Sequence, residues 1–182
     1  MGRDVGVVHC WGDDSAGQST VPDTLDRVST QHVSAGAAHT CALSESEDLH
    51  CWGDLEAMSG WAYRSGPFTD LTTGSDHTCA LEGDGGAVRC WGDNTFGQSN
   101  EPKGSFLAIE AGGWHTCGLL AEEGDPELGY EVQCWGADAH NQTSGAPSYR
   151  FLSLHTGLEH TCGHKPDGLM ACWGRNLEGQ LK

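Results

Sequence analysis

The chain has 182 residues, enough for one domain with its own core, and 9 basic against 26 acidic residues give it a formal net charge of −17. A field of that sign repels phosphate backbones and anionic membranes, so nucleic acid is excluded as an expected partner, and no apolar run is long enough to span a bilayer. Hydrophobic residues make up only 37% while glycine occurs 27 times, a balance that suits short strands and tight turns rather than helices.

The chain opens on Val8-His9-Cys10-Trp11-Gly12, followed by the polar turn Asp13-Asp14-Ser15-Ala16-Gly17-Gln18. Met1–Asp4 lacks the apolar stretch of a secretory leader, so the expectation is either a leader already removed or an excerpt of a longer chain. Gly36-Ala37-Ala38-His39-Thr40-Cys41 then leads to Cys51-Trp52-Gly53. The same sentence recurs from Gly74 through His77-Thr78-Cys79 to Cys90-Trp91-Gly92. It recurs again from Gly112 through His115-Thr116-Cys117 to Cys134-Trp135-Gly136, and from Gly157 through His160-Thr161-Cys162 to Cys172-Trp173-Gly174. Successive Cys-Trp-Gly triplets lie 41, 39, 44 and 38 residues apart. A period of that size points to a propeller, solenoid or array. The chain therefore reads as a single repeat domain, 1–182, with a half unit at 1–28 and full units at 29–67, 68–105, 106–150 and 151–182.

Each unit reads as a hairpin. Side chains alternate along a strand, so Cys79 shares a face with Leu81 and Cys90 with Val88, and folding about the glycine turn at 83–86 brings the two faces together. Facing residues at a non-hydrogen-bonded antiparallel position lie within the range a disulfide accepts. The expected bridges are Cys41–Cys51, Cys79–Cys90, Cys117–Cys134 and Cys162–Cys172, with Cys10 left as a free thiol because the first unit lacks its His-Thr-Cys half. Metal binding is the alternative, disfavoured because no Cys-x-x-Cys occurs and the gaps within pairs vary. Bridges of this kind imply an oxidising compartment, hence an extracellular, secreted or cell-surface protein. Ahead of each hairpin stands a leading strand, clearest where Phe68, Phe106 and Phe151 lie six residues before the glycine and Leu71, Ile109 and Leu154 three before it. In the first full unit Val33 is the expected apolar anchor.

After each Cys-Trp-Gly comes a loop ending in Gly-Gln, seen at Gly17-Gln18, Gly97-Gln98 and Gly179-Gln180, with Asn141-Gln142 a mild variant. The second loop departs, carrying Trp61, Tyr63 and Arg64 across 54–67. The hairpin turn at 119–131 is enlarged and holds Tyr130, and 137–149 is a third variable loop. Insertions of this kind gather at one edge of a repeat array.

Gly74, His77, Thr78, Ala80, Leu81, Val88, Trp91, Gly92, Asn94, Gly97 and Gln98 together resemble the regulator-of-chromosome-condensation type repeat, in a form similar to the secreted, disulfide-containing bacterial members and to propeller-type β-lactamase inhibitors. The resemblance implies an all-β fold, a β-propeller of antiparallel blades. Such propellers usually have seven blades. Four complete repeats and a half are fewer, so the expected array is a smaller ring, a partial one, or one completed by another segment or chain.

The repeated positions read as structural: His39, His77, His115 and His160 as hydrogen-bonding frame residues, and Trp11, Trp52, Trp91, Trp135 and Trp173 as packing against disulfides or between blades. A site needs asymmetry. Trp61, Tyr63 and Arg64 form an aromatic-plus-arginine cluster of the type found at binding hot spots, with Trp114 and Tyr130 as further candidates. Calcium at the Asp/Asn-rich turns is a weaker reading, since they lack a calcium loop's dense oxygen spacing, and no cofactor is expected. Asn141-Gln142-Thr143 fits an N-glycosylation acceptor. No catalytic motif occurs, so the expected function is a non-catalytic binding scaffold for a protein or glycan, preferably a basic one. Self-assembly through propeller edges or Cys10 into a fibre or adhesive layer is the alternative, and inhibition of a secreted enzyme a third. A nucleotide-exchange role is rejected, because the cysteines argue against a nuclear setting.

Overall fold

In the computed structural model, residues 7–56, 62–83, 85–121 and 125–181 are described, and each of the four full repeats becomes an antiparallel sheet. The first holds β1 (Thr30–Ala35), β2 (His39–Ser44), β3 (Leu49–Gly53) and β4 (Tyr63–Arg64); the second β5 (Phe68–Thr73), β6 (His77–Glu82) and β7 (Ala87–Gly92). The third holds β8 (Phe106–Ala111), β9 (His115–Leu120) and β10 (Val132–Gly136); the fourth β11 (Ser153–Thr156), β12 (His160–His164) and β13 (Met170–Gly174). Helical structure among the described residues is limited to 3-10 turns at Asp23–Leu25 and Pro126–Leu128. The sheets stand as four consecutive blades of a β-propeller. The leading strands β1, β5, β8 and β11 lie innermost, and their ends line a cleft on the axis walled by Gly36, Gly74, Gly112 and Gly157.

The register follows from the chemistry of the hairpin. Cys41 faces Cys51, Cys79 faces Cys90, Cys117 faces Cys134 and Cys162 faces Cys172. All four pairs are disulfides with Cα atoms 4.0–4.1 Å apart, and Cys10 is a free thiol. Bridges closing loops of 10 to 17 residues stabilise by about 2 to 4 kcal/mol each.

Each core cluster spans two blades. Phe68 and Leu71 of the second blade lie on the Cys41–Cys51 bridge of the first. Phe106 and Ile109 cover Cys79–Cys90, and Phe151 and Leu154 cover Cys117–Cys134. Burying one such aliphatic or aromatic side chain stabilises by about 2 kcal/mol, so each blade depends on the next to seal its disulfide. The Phe also meets its own blade's indole edge-on, with ring centroids 5.9 Å apart for Phe68–Trp91 and for Phe106–Trp135.

Two expectations need correction. Val33 does not serve as a buried anchor: it is 39% exposed, because the surface that a preceding blade would offer it is open. Trp11 does not pack against a disulfide or a neighbouring blade; it is 87% exposed. The enlarged turn between β9 and β10 also has its own order, since the Asp125 carboxylate accepts a hydrogen bond from Glu127 N at 2.9 Å and caps the 3-10 turn.

Candidate functional site

Two relays tie each blade to the next. In the first, a buried histidine ring reaches the following blade's threonine hydroxyl: His39 Nε2 lies 3.0 Å from Thr78 Oγ1, His77 Nε2 2.8 Å from Thr116 Oγ1, and His115 Nε2 2.8 Å from Thr161 Oγ1. The Nδ1 atoms of His77 and His115 are buried with no protein partner among the described residues, so Nε2 carries each ring's contact with the next blade. Burial pushes the ring pKa of His77 and of His115 down to about 4, so both are uncharged at neutral pH. Close approach of the rings requires the glycines. A Cβ on Gly112 would lie 2.6 Å from His115 Nδ1 and 2.6 Å from Gly157 O.

In the second relay, the Gly-Gln loop of one blade reaches over the next. The Gln18, Gln98 and Gln142 carbonyls accept the indole N–H of Trp52 at 2.9 Å, of Trp135 at 3.0 Å and of Trp173 at 3.0 Å. Those loops are held by their own aspartates. Asp93 accepts hydrogen bonds from the Thr95 hydroxyl and Gln98 Nε2, and these hold its pKa below the usual carboxylate range, led by the Thr95 bond. The same oxygens are what a calcium ion would need. Among the described residues, no group of three or more His, Cys, Asp or Glu side chains is placed to share a cation.

The loop that precedes Trp91 departs from this sequence pattern. The loop from the first blade contains no glutamine between 54 and 64. Instead its end adds β4 to β3, pairing Leu49 with Arg64 and His50 with Tyr63, and the Arg64 guanidinium stacks 4.7 Å from the Trp91 ring centroid. The departure leaves a cleft of about 550 Å³ walled by Arg64, Phe68, Glu82, Arg89, Trp91 and Glu101. Arg89 is clamped between two carboxylates, at 2.7 Å from Glu82 and 3.3 Å from Glu101, and the Glu82 hydrogen bond leads in raising its pKa. Tyr63 stands beside the cleft, 53% exposed, with its ring 5.0 Å from that of His50. The arrangement offers a π-face, a guanidinium plane and a fixed ion cluster. Those features suit recognition by stacking and charge-assisted hydrogen bonds.

Of the sequence candidates, Tyr63 and Arg64 share this edge, and Trp61 lies outside the described residues. Trp114 is half-buried in the turn between β8 and β9, on the third blade. Tyr130 bridges to Phe151 through paired backbone hydrogen bonds of 2.9 Å and packs, partly buried, against the core cluster, away from this edge. The cleft also brings together Trp91, Arg89, Glu82 and Glu101, which the sequence does not single out for binding. The available signal was the absent glutamine of the preceding loop.

The fold and its motifs have relatives. The family model for the regulator of chromosome condensation (RCC1) repeat matches residues 31–54 and 68–98. The ultraviolet-B receptor UVR8 of Arabidopsis thaliana is 25% identical over 197 residues, covering 82% of this chain and 42% of the receptor. The entire ectodomain of the Physcomitrella patens receptor kinase CR4 is 31% identical with a TM-score of 0.77, matching 93% of this chain and 47% of the ectodomain. The CRINKLY WD40 ectodomain of the Arabidopsis thaliana receptor kinase ACR4 is 32% identical with a TM-score of 0.72, over 92% of this chain and 58% of that one. The chain thus spans about half the length of these relatives. The chain carries repeats of the RCC1 type at residues 31–54 and 68–98, and its four disulfide-closed blades have the architecture of a β-propeller.

Proposed function

We propose that this chain is a non-catalytic extracellular binding scaffold, and that it holds a protein partner at the cleft over Trp91. The observation that carries the reading is the cleft of about 550 Å³ where the covering loop departs from its repeat. The loops before Trp52, Trp135 and Trp173 place a glutamine carbonyl on the indole, whereas the loop before Trp91 has no glutamine and its end stacks Arg64 on the ring at the wall of that cleft. A frame that repeats serves the fold, and a departure that walls a cleft supports a separate role. Four disulfides and the likeness to two receptor-kinase ectodomains support an extracellular setting. The net charge of −17 favours a partner with a basic rim around its contact patch.

An array of extracellular ectodomains and glycans, probed with the folded protein, supplies the test. For a captured ectodomain, Tyr63→Ala combined with Arg64→Ala should weaken binding at least tenfold, about 1.4 kcal/mol, whereas Trp114→Ala should leave it within twofold. Unchanged affinity in the double variant removes the cleft from consideration. Capture of glycans alone overturns the choice of a protein. Self-assembly stands second, on the exposed Leu158, Leu169, Met170 and Leu177 of the last blade.

A further inference from the structure

Four loops leave a Cys-Trp-Gly triplet through the same turn, and one of them carries asparagine where the others carry glycine. Gly17, Gly97, Asn141 and Gly179 each donate their N–H to the carbonyl three residues back, at 3.0–3.5 Å. The glutamine that follows accepts, through its side-chain oxygen, from the residue before the turn position, at 2.8 Å for His140 N to Gln142 and 2.9 Å in the other three loops. At the glycines φ is 80–82°, and at Asn141 it is 59°, also in the left-handed region. Asparagine is among the few side chains that visit this region readily. The loop therefore keeps its shape and gains a carboxamide.

That carboxamide has no task in the fold. Asn141 is exposed, and its side chain makes no hydrogen bond among the described residues. Asn94, by contrast, is engaged by its own loop: its Nδ2 donates to Asn100 Oδ1 at 2.9 Å and its Oδ1 accepts from Ser99 N at 3.0 Å. Asn176 Oδ1 likewise accepts from Leu181 N at 3.0 Å. Around Asn141 the same work falls to Asp138, whose carboxylate accepts from Thr143 N and Ser144 N at 3.0 and 2.9 Å. Gly145 keeps the flank clear, since a Cβ there would lie 3.1 Å from that of Asn141. Of the chain's four asparagines, Asn141 alone is followed two residues on by serine or threonine. Four disulfides suit the oxidising compartment through which secreted chains pass. We propose that Asn141 is an N-glycan acceptor, and that the left-handed corner of the Gly-Gln loop is the seat that presents it.

The covalent step is a glycosyl transfer. Asn141 Nδ2 bonds to the anomeric carbon of an oligosaccharide carried on a lipid diphosphate. The carbon–oxygen bond to the diphosphate breaks with its electron pair left on the departing oxygen, and Nδ2 releases one proton. The test is the full chain directed into the secretory pathway of a eukaryotic host, with its intact mass read before and after treatment with a peptide-N-glycosidase. The secreted, disulfide-bonded protein should carry one oligosaccharide that the treatment removes, and removal in heavy-oxygen water should place the label at position 141. Asn141→Gly restores the residue of the other three loops, so the fold is kept while the oligosaccharide should be lost. Thr143→Val should lose it as well. Gly17→Asn, at a position where a Cβ meets nothing within 4 Å, creates Asn-Gln-Ser on the same corner and should add a second oligosaccharide. A secreted wild-type chain with a bare Asn141, an oligosaccharide that survives Asn141→Gly, or a Gly17→Asn variant that gains none would each overturn the proposal.

Discussion

Replacing Gly112 by alanine should destabilise the protein by about 3 kcal/mol or more, one of the largest effects available to a single methyl group. The new carbon would press on two rigid neighbours at once, the His115 ring and the Gly157 carbonyl of the next blade, both at 2.6 Å or less. Neither has room to move. The ring is pinned through Nε2 to Thr161 at 2.8 Å, and the Gly112 amide donates to His115 O at 2.8 Å. Thermal unfolding followed by circular dichroism should show a midpoint about 6 to 12 °C lower. Alanine at Gly85, where a Cβ meets nothing within 4 Å, is the control and should move the midpoint by only a degree or two. Equal shifts for the two would refute the close-packing account of the inner turns.

Acid should unfold the protein through its buried histidines. His77 and His115 each have a folded pKa of about 4 against an ordinary value of 6.5, with burial as the largest cause; at His77 the neighbouring His115 and His39 push the same way, and Asp93 opposes them. Between those two values the unfolded chain binds more protons than the folded one, so stability rises with pH there. It is therefore lost as pH falls from 6.5 towards 4, by on the order of 3 kcal/mol for each ring at the lower end. Urea midpoints measured across that window should fall steadily. In the double variant His77→Gln, His115→Gln the slope should flatten, because an amide retains a hydrogen-bonding group without titrating. An unchanged slope would assign the acid sensitivity to other groups.

The hairpin, its register and all four bridges were legible because a two-residue side-chain period and a repeated cysteine leave little freedom once the turn is placed. The interblade relays were less so. His77 announces itself as repeated, but nothing local to it tells that its partner is Thr116, 39 residues on. The error at Val33 has the same origin. Its residue pattern is that of a buried anchor, and burial depends on a neighbour the local sequence does not describe. Trp91 reads as one more frame indole because its own triplet is regular; what differs is the loop a unit earlier. Tyr130 was singled out for standing in an insertion, yet the insertion folds back and packs it against Phe151.

Cys10 gives a check on the front edge. Burial pushes its thiol up from the ordinary range, so its alkylation rate should level off at a higher pH than that of an unstructured cysteine peptide in the same buffer. Levelling at the same pH as the peptide would mean that the thiol sits in open solvent.

The histidine-to-threonine contact points one way along the chain, and that gives the array a polarity like that of a filament with unlike ends. Energy is coupled between nearest neighbours, and each blade lends its covering residues only to the one before it. Within these four blades the fourth is the least covered: Cys162 and Cys172 are half-buried where Cys41, Cys79 and Cys117 are sealed. Fraying should start there and travel towards the first blade. Amide hydrogen exchange would then read out as a gradient, fastest in β12 and β13 and slowest in β2 and β6.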